Sequence, residues 1–247
     1  ATDDITLKYC LCSPDRQSFI RPARSDLESH RIIITTTSMA RRLHELKLPK
    51  GFFSHILIDE ASQMLEGEAL MALGLADKHT RVVLAGDHMQ MAPKLFSVTS
   101  DKRSEHTLLY RLFRYYQDQS SSIAKNSRVI FNENYRSTAE IVDFVSTYFY
   151  LSDGIKAKGE VPPHPRLHPL IFQHVKGECH LNSTSMVKSM SWFNVPEVNS
   201  VVSMVQELLA DWPVEWGHKQ PKQICVLSEG QQVQFKAFIT LTYGSCT

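Results

Sequence analysis

Two short apolar runs in this sequence end in carboxylates. Residues 56–58 (Ile-Leu-Ile) lead into Asp59 and Glu60, and residues 82–85 (Val-Val-Leu-Ala) lead, after one glycine, to Asp87. Such runs are typical of buried parallel strands, and α/β proteins bind ligands at the carboxyl edge of a parallel sheet. The pattern therefore predicts negative charge at one sheet edge, which is the layout of a nucleotide-hydrolysing core.

A nucleotide-hydrolysing site needs a metal ion to offset phosphate charge, a base for the attacking water and a cation for the transition state. Asp59 is suited to hold Mg²⁺ through its water shell, and Glu60 is suited to orient and deprotonate the water. Gln90 can hydrogen-bond a γ-phosphate or the water without adding negative charge. Arg136 follows a third apolar run, residues 129–131, and its planar guanidinium matches phosphoryl oxygens. These four side chains favour phosphoryl transfer from a nucleoside triphosphate.

Composition narrows the class of protein. The 247 residues are enough for one large or two smaller α/β lobes with a sizeable core. No apolar run approaches the roughly 20 residues that span a bilayer, so we expect no membrane partner. A net charge of +1 gives no global attraction to nucleic acid. The five cysteines form no C-x-x-C pair, which disfavours a structural zinc site.

The apolar periodicity alternates between strand and helix along the chain, which predicts a parallel sheet. The predicted strands are residues 31–35, 56–58, 82–85, 129–131, 170–175 and 224–227, and the predicted helices are residues 38–48, 66–77, 108–116, 137–149 and 194–209. A capping box is expected at Ser137 and Glu140, and a polar loop after residue 175 through Ser191. A polar stretch at 117–127 predicts a linker between two domains.

Three motifs carry a family resemblance. Ile-Leu-Ile-Asp-Glu-Ala-Ser-Gln at 56–63 resembles motif II of the superfamily 1 helicases of the nonsense-mediated-decay helicase type. Gly-Asp-His-Met-Gln-Met-Ala-Pro at 86–93 resembles their motif III, and Asn-Tyr-Arg-Ser at 134–137 their motif IV. The surrounding sequence, including Val-Pro-Pro-His-Pro at 161–165, is most similar to the helicase-with-zinc-finger-domain proteins. The resemblance covers about residues 8–233.

The resemblance implies an α/β P-loop NTPase fold, in which RecA-like parallel sheets flanked by helices form two lobes, both incomplete in this chain. ATP would bind between the lobes, and a single nucleic-acid strand would cross their top. Residues 1–125 would be the C-terminal part of the first lobe, with motifs II and III. Residues 126–247 would be the N-terminal part of the second lobe, with motif IV and a divergent tail from about residue 236.

The resemblance also implies residue roles. Asp59 and Glu60 serve magnesium and water, Gln90 contacts phosphate, and Arg136 acts as an arginine finger. The residues expected to contact ATP and Mg²⁺ are Asp59, Glu60, Gln63, Gly86, Asp87, Gln90, Tyr135 and Arg136. The residues expected to contact nucleic acid are Thr35, Thr36, Thr37, His88 and Pro93. Threonine hydroxyls suit backbone phosphates, although β propensity alone would also place them at a strand end; His88 could instead shape its loop.

The chain departs from the family pattern in two places. It has no G-x-x-x-x-G-K-[S/T] phosphate loop, and the residues after 236 match neither of the later second-lobe motifs. The chain starts at Ala1 rather than Met, and we expect it to be a piece of a longer protein with the phosphate loop upstream. We therefore expect this chain by itself not to turn over ATP.

The leading hypothesis is an ATP-dependent RNA helicase that couples hydrolysis to movement on, or remodelling of, single-stranded RNA or DNA in the nucleus or cytoplasm. The alternative is a non-catalytic RNA- or protein-binding scaffold within a nuclear-receptor transcriptional coactivator, with nuclear receptors or other coactivators as partners. An intact upstream phosphate loop favours the enzyme, and a degraded one favours the scaffold. A dehydrogenase is disfavoured because no G-x-G-x-x-G follows a strand.

Overall fold

The computed structural model describes residues 8–15, 18–150, 154–161, 169–182, 191–220 and 223–227. The chain divides into two compact units, Ala1–Ile130 and Phe131–Thr247. The assignment of residues 1–125 and 126–247 to two RecA-like lobes stays a prediction.

The described secondary structure is mostly helical, with three small sheets. The first unit contains helices α1 (Arg24–Glu28) and α2 (Thr37–Leu43), strand β1 (His55–Ile58), helix α3 (Glu66–Leu73), strand β2 (Arg81–Leu84) and helices α4 (Leu108–Gln117) and α5 (Ser122–Asn126), with 3-10 turns at His44–Leu46, Ala61–Gln63 and Ser100–His106. The second unit contains strand β3 (Glu133–Asn134), helix α6 (Ala139–Phe149), strands β4 (Lys156–Ala157), β5 (Cys179–Asn182) and β6 (Ser191–Asn194), helix α7 (Val195–Ala210) and a 3-10 turn at Val214–Trp216.

Strands β1 and β2 form a parallel pair in which Ile58 lies beside Leu84. Helix α3 is the crossover between them, as parallel strands require. Hydrogen bonds continue past the strand ends, because the Ala85 N–H donates to the Ile58 carbonyl and the Ala61 N–H donates to the Ala85 carbonyl, both at 2.8 Å. The predicted strands at 56–58 and 82–85 and the helix between them are confirmed, although α3 ends at Leu73 rather than Asp77.

The core of the first unit lies where α2, α3, β1 and α4 meet. Small alanines dominate it, and this allows the helices to approach closely; the buried cluster consists of Ala40, Ile58, Ala61, Ala69, Ala72 and Leu108. Each fully buried aliphatic side chain of the size of Ile58 or Leu108 contributes roughly 1.5–3 kcal/mol. The predicted helix at 108–116 is confirmed by α4, whose Leu109 and Leu112 pack against this cluster.

An ion pair joins α3 to α4. Arg111 donates from Nε to Glu66 Oε2 at 3.0 Å and from Nη2 to Glu66 Oε1 at 2.5 Å. These hydrogen bonds hold the pKa of the Glu66 carboxyl below its ordinary value and raise the pKa of Arg111. The bidentate geometry is the strong form of an arginine–carboxylate contact.

We expect the contribution of Glu66 to stability to vanish in acid. Because its folded pKa lies below the unfolded value of about 4.3, the stabilisation is present above that value and is lost as pH falls through the folded pKa. Urea unfolding at several pH values should show Glu66→Gln less stable than the parent at pH 7, with the difference closing below about pH 4. Glu105→Gln removes an exposed carboxylate for which the described residues provide no ion pair, and should not reproduce this profile. A pH-independent effect of Glu66→Gln would contradict the electrostatic origin.

In the second unit, β3 pairs in parallel with β4, and β5 pairs in antiparallel fashion with β6. Helix α7 follows β6 directly, begins after Asn194 and carries Pro196 in its first turn, where the missing N–H costs nothing. Its buried face is a stripe of Val198, Val202 and Val205. The predicted helix at 194–209 is confirmed.

Four predicted strands are wrong, because residues 31–35, 129–131, 170–175 and 224–227 form no strand in the structure. Apolar, β-branched composition sets only a local preference, whereas a strand also needs a neighbour for its N–H and C=O groups. In the first of these segments Ile32 and Ile34 are 79% and 93% exposed. The strand expected at 129–131 is replaced by β3, which begins at Glu133.

Three further expectations are corrected. The linker at 117–127 contains the short helix α5, and the loop expected between 175 and Ser191 contains β5. The capping box at Ser137 and Glu140 does not form, because Thr138 is the N-cap of α6 and Glu140 is then one position too early to reach back.

No helix of the described residues is long and apolar enough to cross a membrane.

Candidate functional site

The first acidic loop, residues 59–63, leaves the end of β1 through a sharp turn. Glu60 adopts a left-handed conformation, with φ of 52° and ψ of 35°, which costs a non-glycine residue on the order of 1 kcal/mol or more and is typical of functional loops. Its N–H donates to Asp59 Oδ1 at 2.9 Å. The turn leaves both carboxylates exposed, while Ser62 behind them is only 3% exposed. The local strain therefore serves to present two acids at the strand end.

Gln63 orients the Glu60 side chain. Its Nε2 donates to Glu60 Oε2 at 2.9 Å, and its N–H donates to the Glu60 carbonyl at 3.0 Å. One oxygen of the carboxylate is thus fixed by an amide three residues further along the chain. This places Gln63 beside the acid that we expect to be the base, rather than leaving it a solvated loop residue.

The second acidic loop, residues 86–90, repeats this arrangement at the end of β2. Asp87 Oδ1 accepts from the Met89 N–H at 2.9 Å, and Asp87 Oδ2 accepts from Gln90 Nε2 at 2.8 Å. The Gln90 N–H also donates to the Asp87 carbonyl at 3.2 Å. Asp87 therefore sets both the turn and the direction of the Gln90 amide.

The two acidic loops touch through Gly86. A Cβ at this position would lie 2.8 Å from the Ser62 nitrogen, 3.1 Å from the Ala61 nitrogen and 2.9 Å from Leu109 Cδ2. Two of these neighbours are backbone atoms, so they cannot move aside as the end of a flexible side chain could. The close approach requires glycine at position 86 and brings the loops into backbone contact.

Gly86→Ala should destabilise the chain by about 1–3 kcal/mol, the usual cost of overpacking. The matched control is Gly67→Ala in α3, where an added Cβ meets no atom within 4 Å and the change should stabilise by up to about 1 kcal/mol. Urea unfolding of both variants compares the two costs. Equal effects of the two substitutions would show that the acidic loops are not packed backbone against backbone.

His88 packs against α4. Its ring centroid lies 5.8 Å from that of Tyr110 and 5.2 Å from that of Phe113. Arg128 lies over the ring of Phe113, with its Cζ 4.8 Å from the ring centroid, which is a favourable cation–π distance. His88 thus anchors the second acidic loop to a helix, and its expected contact with nucleic acid stays a prediction.

A cleft opens beside the second acidic loop. Its volume is about 710 Å³, and it is lined by Gln63, His88, Met89, Gln90, Met91, Ala92, Pro93, Lys94, Arg103 and Ser104. The volume falls in the usual range of ligand pockets. Both loop glutamines, Gln63 and Gln90, face this space, so it adjoins the candidate phosphate-binding residues.

The arginine loop, residues 134–137, begins at the last residue of β3 in the second unit. Asn134 Oδ1 accepts from the Arg136 N–H at 3.0 Å and from the Ser137 N–H at 2.9 Å, a side-chain turn that asparagine forms readily. A Cβ on Gly159 would lie 2.4 Å from the Tyr135 carbonyl oxygen, so the loop rests on the backbone after β4. The Arg136 side chain is exposed.

Tyr135 is held by an acid of the preceding strand. Its hydroxyl donates to Glu133 Oε2 at 2.5 Å. This hydrogen bond, helped by the nearby negative charge, raises the pKa of the Tyr135 hydroxyl. Through this hydrogen bond the phenol braces the arginine loop.

The three threonines begin a helix rather than ending a strand. Thr36 is the N-cap of α2, and its Oγ1 accepts from the Met39 N–H at 3.3 Å. Thr35 Oγ1 donates to the Thr36 carbonyl at 3.3 Å, and Thr37 is the first helical residue. Pro93 is buried. Nucleic-acid contact by Thr35, Thr36, Thr37 and Pro93 stays a prediction.

The structure brings one group of expected residues together at the ends of β1 and β2: Asp59, Glu60, Gln63, Gly86, Asp87 and Gln90. Tyr135 and Arg136 form a second group on the arginine loop. Sequence reasoning placed Asn134 in motif IV but missed its structural role, although an asparagine before a helix start is a recognisable turn signal. It also missed Lys94 and Arg103, which are brought into one cleft only by the fold.

Comparison with known proteins identifies the family. Two family models, each described as an AAA domain, match residues 14–98 and 105–240, which establishes an α/β P-loop NTPase fold. The chain is 52% identical over 234 residues to the "3'-5' exoribonuclease HELZ2" of Homo sapiens, covering 94% of this chain and 8% of that protein.

Two relatives of lower sequence identity are named as helicases. The "Probable helicase with zinc finger domain" of Danio rerio is 39% identical over 90% of this chain and 11% of its own length. The "Putative helicase MOV-10" of Gallus gallus is 28% identical over 81% of this chain and 23% of its own length. This chain therefore spans only a small part of the length of each relative. The chain belongs to the superfamily 1 helicases of the nonsense-mediated-decay type, with the helicase-with-zinc-finger-domain proteins among its relatives.

Proposed function

We propose that this chain is part of the core of an ATP-dependent RNA helicase, in which ATP hydrolysis drives movement on, or remodelling of, single-stranded RNA in the nucleus or cytoplasm. One observation carries the proposal. The loops after β1 and β2 lie in backbone contact at Gly86, and each presents an acid whose oxygen accepts the amide of a glutamine three residues later. Adjacent strand ends with this chemistry are where α/β nucleotide hydrolases act.

The residues of the first acidic loop fit a magnesium–nucleotide complex. Mg²⁺ binds through one or two carboxylates, several waters and substrate phosphates. Asp59 is exposed and accepts one hydrogen bond, at Oδ1, so its carboxylate retains lone pairs for a metal-bound water. When bound with ATP, the metal would offset the charge on the phosphates. Within the described residues, no cluster of three or more His, Cys, Asp or Glu side chains is arranged to hold a metal.

Glu60 is the proposed general base. Its backbone is left-handed just past the end of β1, and Gln63 Nε2 donates to Oε2 at 2.9 Å. Such an anchor fixes one oxygen and leaves the other to accept a proton from water. We propose that Gln63 contributes by positioning Glu60 as well as by facing the nucleotide.

Gln90 is the proposed phosphate contact, aligned by Asp87. One N–H of the Gln90 amide group donates to Asp87 Oδ2, so the group is already oriented and its second N–H would donate to a γ-phosphate. Asp87 is itself restrained, because its other carboxylate oxygen, Oδ1, accepts from the Met89 N–H. A positioned neutral donor near developing charge is the type of group that stabilises phosphoryl-transfer transition states.

Arg136 is the proposed arginine finger. Its backbone N–H donates to Asn134 Oδ1, while its side chain remains exposed, so the guanidinium is available to contact a phosphoryl group. The preference for RNA is supported by the relative that is 52% identical to this chain, which is named as an exoribonuclease.

The proposal is tested by strand displacement with the full-length parent. A fluorescent RNA strand is annealed to a longer strand with a single-stranded tail, and its release is followed with ATP and Mg²⁺ or with a non-hydrolysable ATP analogue. We expect release only with ATP. Intact RNA binding without ATP-dependent release or ATP turnover would contradict the proposal and favour the scaffold alternative.

A further inference from the structure

Two exposed methionines flank the proposed phosphate contact. Met89 and Met91 lie on either side of Gln90 in the chain and are 51% and 64% exposed. The other methionines of the described residues are half-buried: Met39, Met64, Met71 and Met204. A dissolved oxidant reaches an exposed thioether more readily than one packed among other side chains. Of the described methionines, the two in the second acidic loop are therefore the most accessible to oxidation.

Both methionines share a cleft with the glutamine amide. Met89, Gln90 and Met91 all line the cleft beside the second acidic loop. Asp87 Oδ2 accepts from Gln90 Nε2 at 2.8 Å, which leaves the second N–H of that amide for a ligand. The Met89 backbone is restrained, because its N–H donates to Asp87 Oδ1 at 2.9 Å. The loop thus carries a thioether on each side of the amide that we expect to contact phosphate.

The cleft supplies donors for an oxygen placed on either sulfur. Its lining includes the cations of Lys94 and Arg103, and none of its lining residues is a carboxylate. A thioether sulfur accepts hydrogen bonds only weakly, whereas oxidation to the sulfoxide makes the side chain polar. A sulfoxide oxygen would find its partners among these cations and the second N–H of Gln90. Oxidation therefore converts an apolar side chain into a competitor for the donor that the γ-phosphate needs.

We propose that Met89 and Met91 form a reversible oxidation site, and that a sulfoxide at either position lowers ATP hydrolysis. The oxidant is a peroxide: a sulfur lone pair attacks one peroxide oxygen, the O–O bond breaks, and the second oxygen leaves as water. Sulfur loses two electrons and the peroxide gains them. Methionine sulfoxide reductases restore the thioether, with a dithiol as the reductant and water as the product. This inference rests on the helicase function proposed above.

The test exposes the full-length parent to hydrogen peroxide and follows oxidation by peptide mass spectrometry and by ATP turnover. We expect Met89 and Met91 to oxidise before Met64. Turnover should fall by about 10- to 100-fold, where the larger value is the cost of removing one positioned donor. Both sulfoxide reductases, one for each sulfoxide epimer, should then restore turnover. Dithiothreitol alone should not restore it, which separates methionine oxidation from reversible cysteine oxidation.

Leucine variants assign the effect to the two residues. Leucine is close in volume to methionine and has no sulfur, so the double variant Met89→Leu/Met91→Leu should retain its own untreated turnover after peroxide. Met64→Leu is the matched control, because Met64 directly follows Gln63 but packs against the core of the first unit. This control variant should lose turnover as the parent does, each protein being compared with its own untreated sample.

Three results would each overturn the proposal. They are equal oxidation rates of Met64 and the two loop methionines, a parental loss of turnover in the double variant, and full turnover by a parent in which Met89 and Met91 are both sulfoxides. Failure of the helicase function is distinguishable, because the untreated parent would then hydrolyse no ATP. The order of oxidation would still decide whether the second acidic loop is the preferred oxidation site.

Discussion

Glu60→Gln in the full-length parent should lower ATP turnover by about 10²- to 10⁴-fold, the usual contribution of a general base. The substitution keeps the shape of the side chain, so Gln63 and the glutamine at position 60 can still hydrogen-bond at their present separation of 2.9 Å. The substitution removes the carboxylate that would accept a proton from the attacking water. Nucleotide Kd should therefore remain near the parental value, and ATP-dependent retention on RNA should increase.

The control for this prediction is Glu28→Gln, which removes an exposed carboxylate from α1. Single-turnover hydrolysis and binding of a fluorescent nucleotide separate chemistry from affinity. Parental turnover in Glu60→Gln would show that Glu60 is not the base. A loss of nucleotide binding equal to the loss of turnover would instead show that its carboxylate acts mainly in holding the ground state.

Arg136→Ala should lower kcat by about 10³-fold or more, by analogy with arginine fingers, which corresponds to roughly 4 kcal/mol of transition-state stabilisation. The conformation of the arginine loop should be unchanged, because the hydrogen bond from position 136 to Asn134 Oδ1 uses the backbone N–H. Lysine should rescue poorly, because it keeps the charge but loses the planar pair of donors. Nucleotide Kd should change far less than kcat.

Arg114→Ala, which removes an exposed arginine from α4, is the control for Arg136→Ala. Steady-state hydrolysis and nucleotide binding are measured for the parent and all three variants. An unchanged kcat in Arg136→Ala would identify Arg136 as a surface cation. Full rescue by Arg136→Lys would support a charge effect without bidentate geometry.

The acidic strand ends could be predicted from the sequence because local pattern and tertiary environment agree there. The apolar runs at 56–58 and 82–85 are each followed at once by polar residues, and β1 and β2 occupy those positions. Helices α4 and α7 were predictable for the same reason, since their apolar stripes have helical spacing and cover a core. In these elements no tertiary contact opposes the local preference.

The wrong strands show what a local pattern omits. Residues 31–35 have strong β propensity but no described partner strand, and they lead into a helix that Thr36 caps. In the second unit, Thr138 rather than Ser137 caps α6, so a one-residue shift removes the expected capping box. Strand pairing and the choice between adjacent caps depend on neighbours distant in sequence, which periodicity does not encode.

Details of the candidate site depended even more on the fold. The contact of Gly86 with the backbone of Ser62 joins residues 24 positions apart, and the meeting of Lys94 with Arg103 in one cleft requires the turn between them. The left-handed backbone of Glu60 is also invisible in sequence, because glutamate rarely adopts it. Motifs identified the acids, whereas packing determines how they are presented.

The most direct test of the central claim is the RNA dependence of ATP hydrolysis by the full-length parent. Phosphate release is measured with Mg²⁺ and ATP, with and without single-stranded RNA, for the parent and Glu60→Gln. We expect release by the parent to rise when RNA is added and to fall to the level of buffer in Glu60→Gln. Phosphate release by the parent at the level of Glu60→Gln, under conditions in which RNA is bound, would contradict the assignment of this chain to an ATP-driven helicase core.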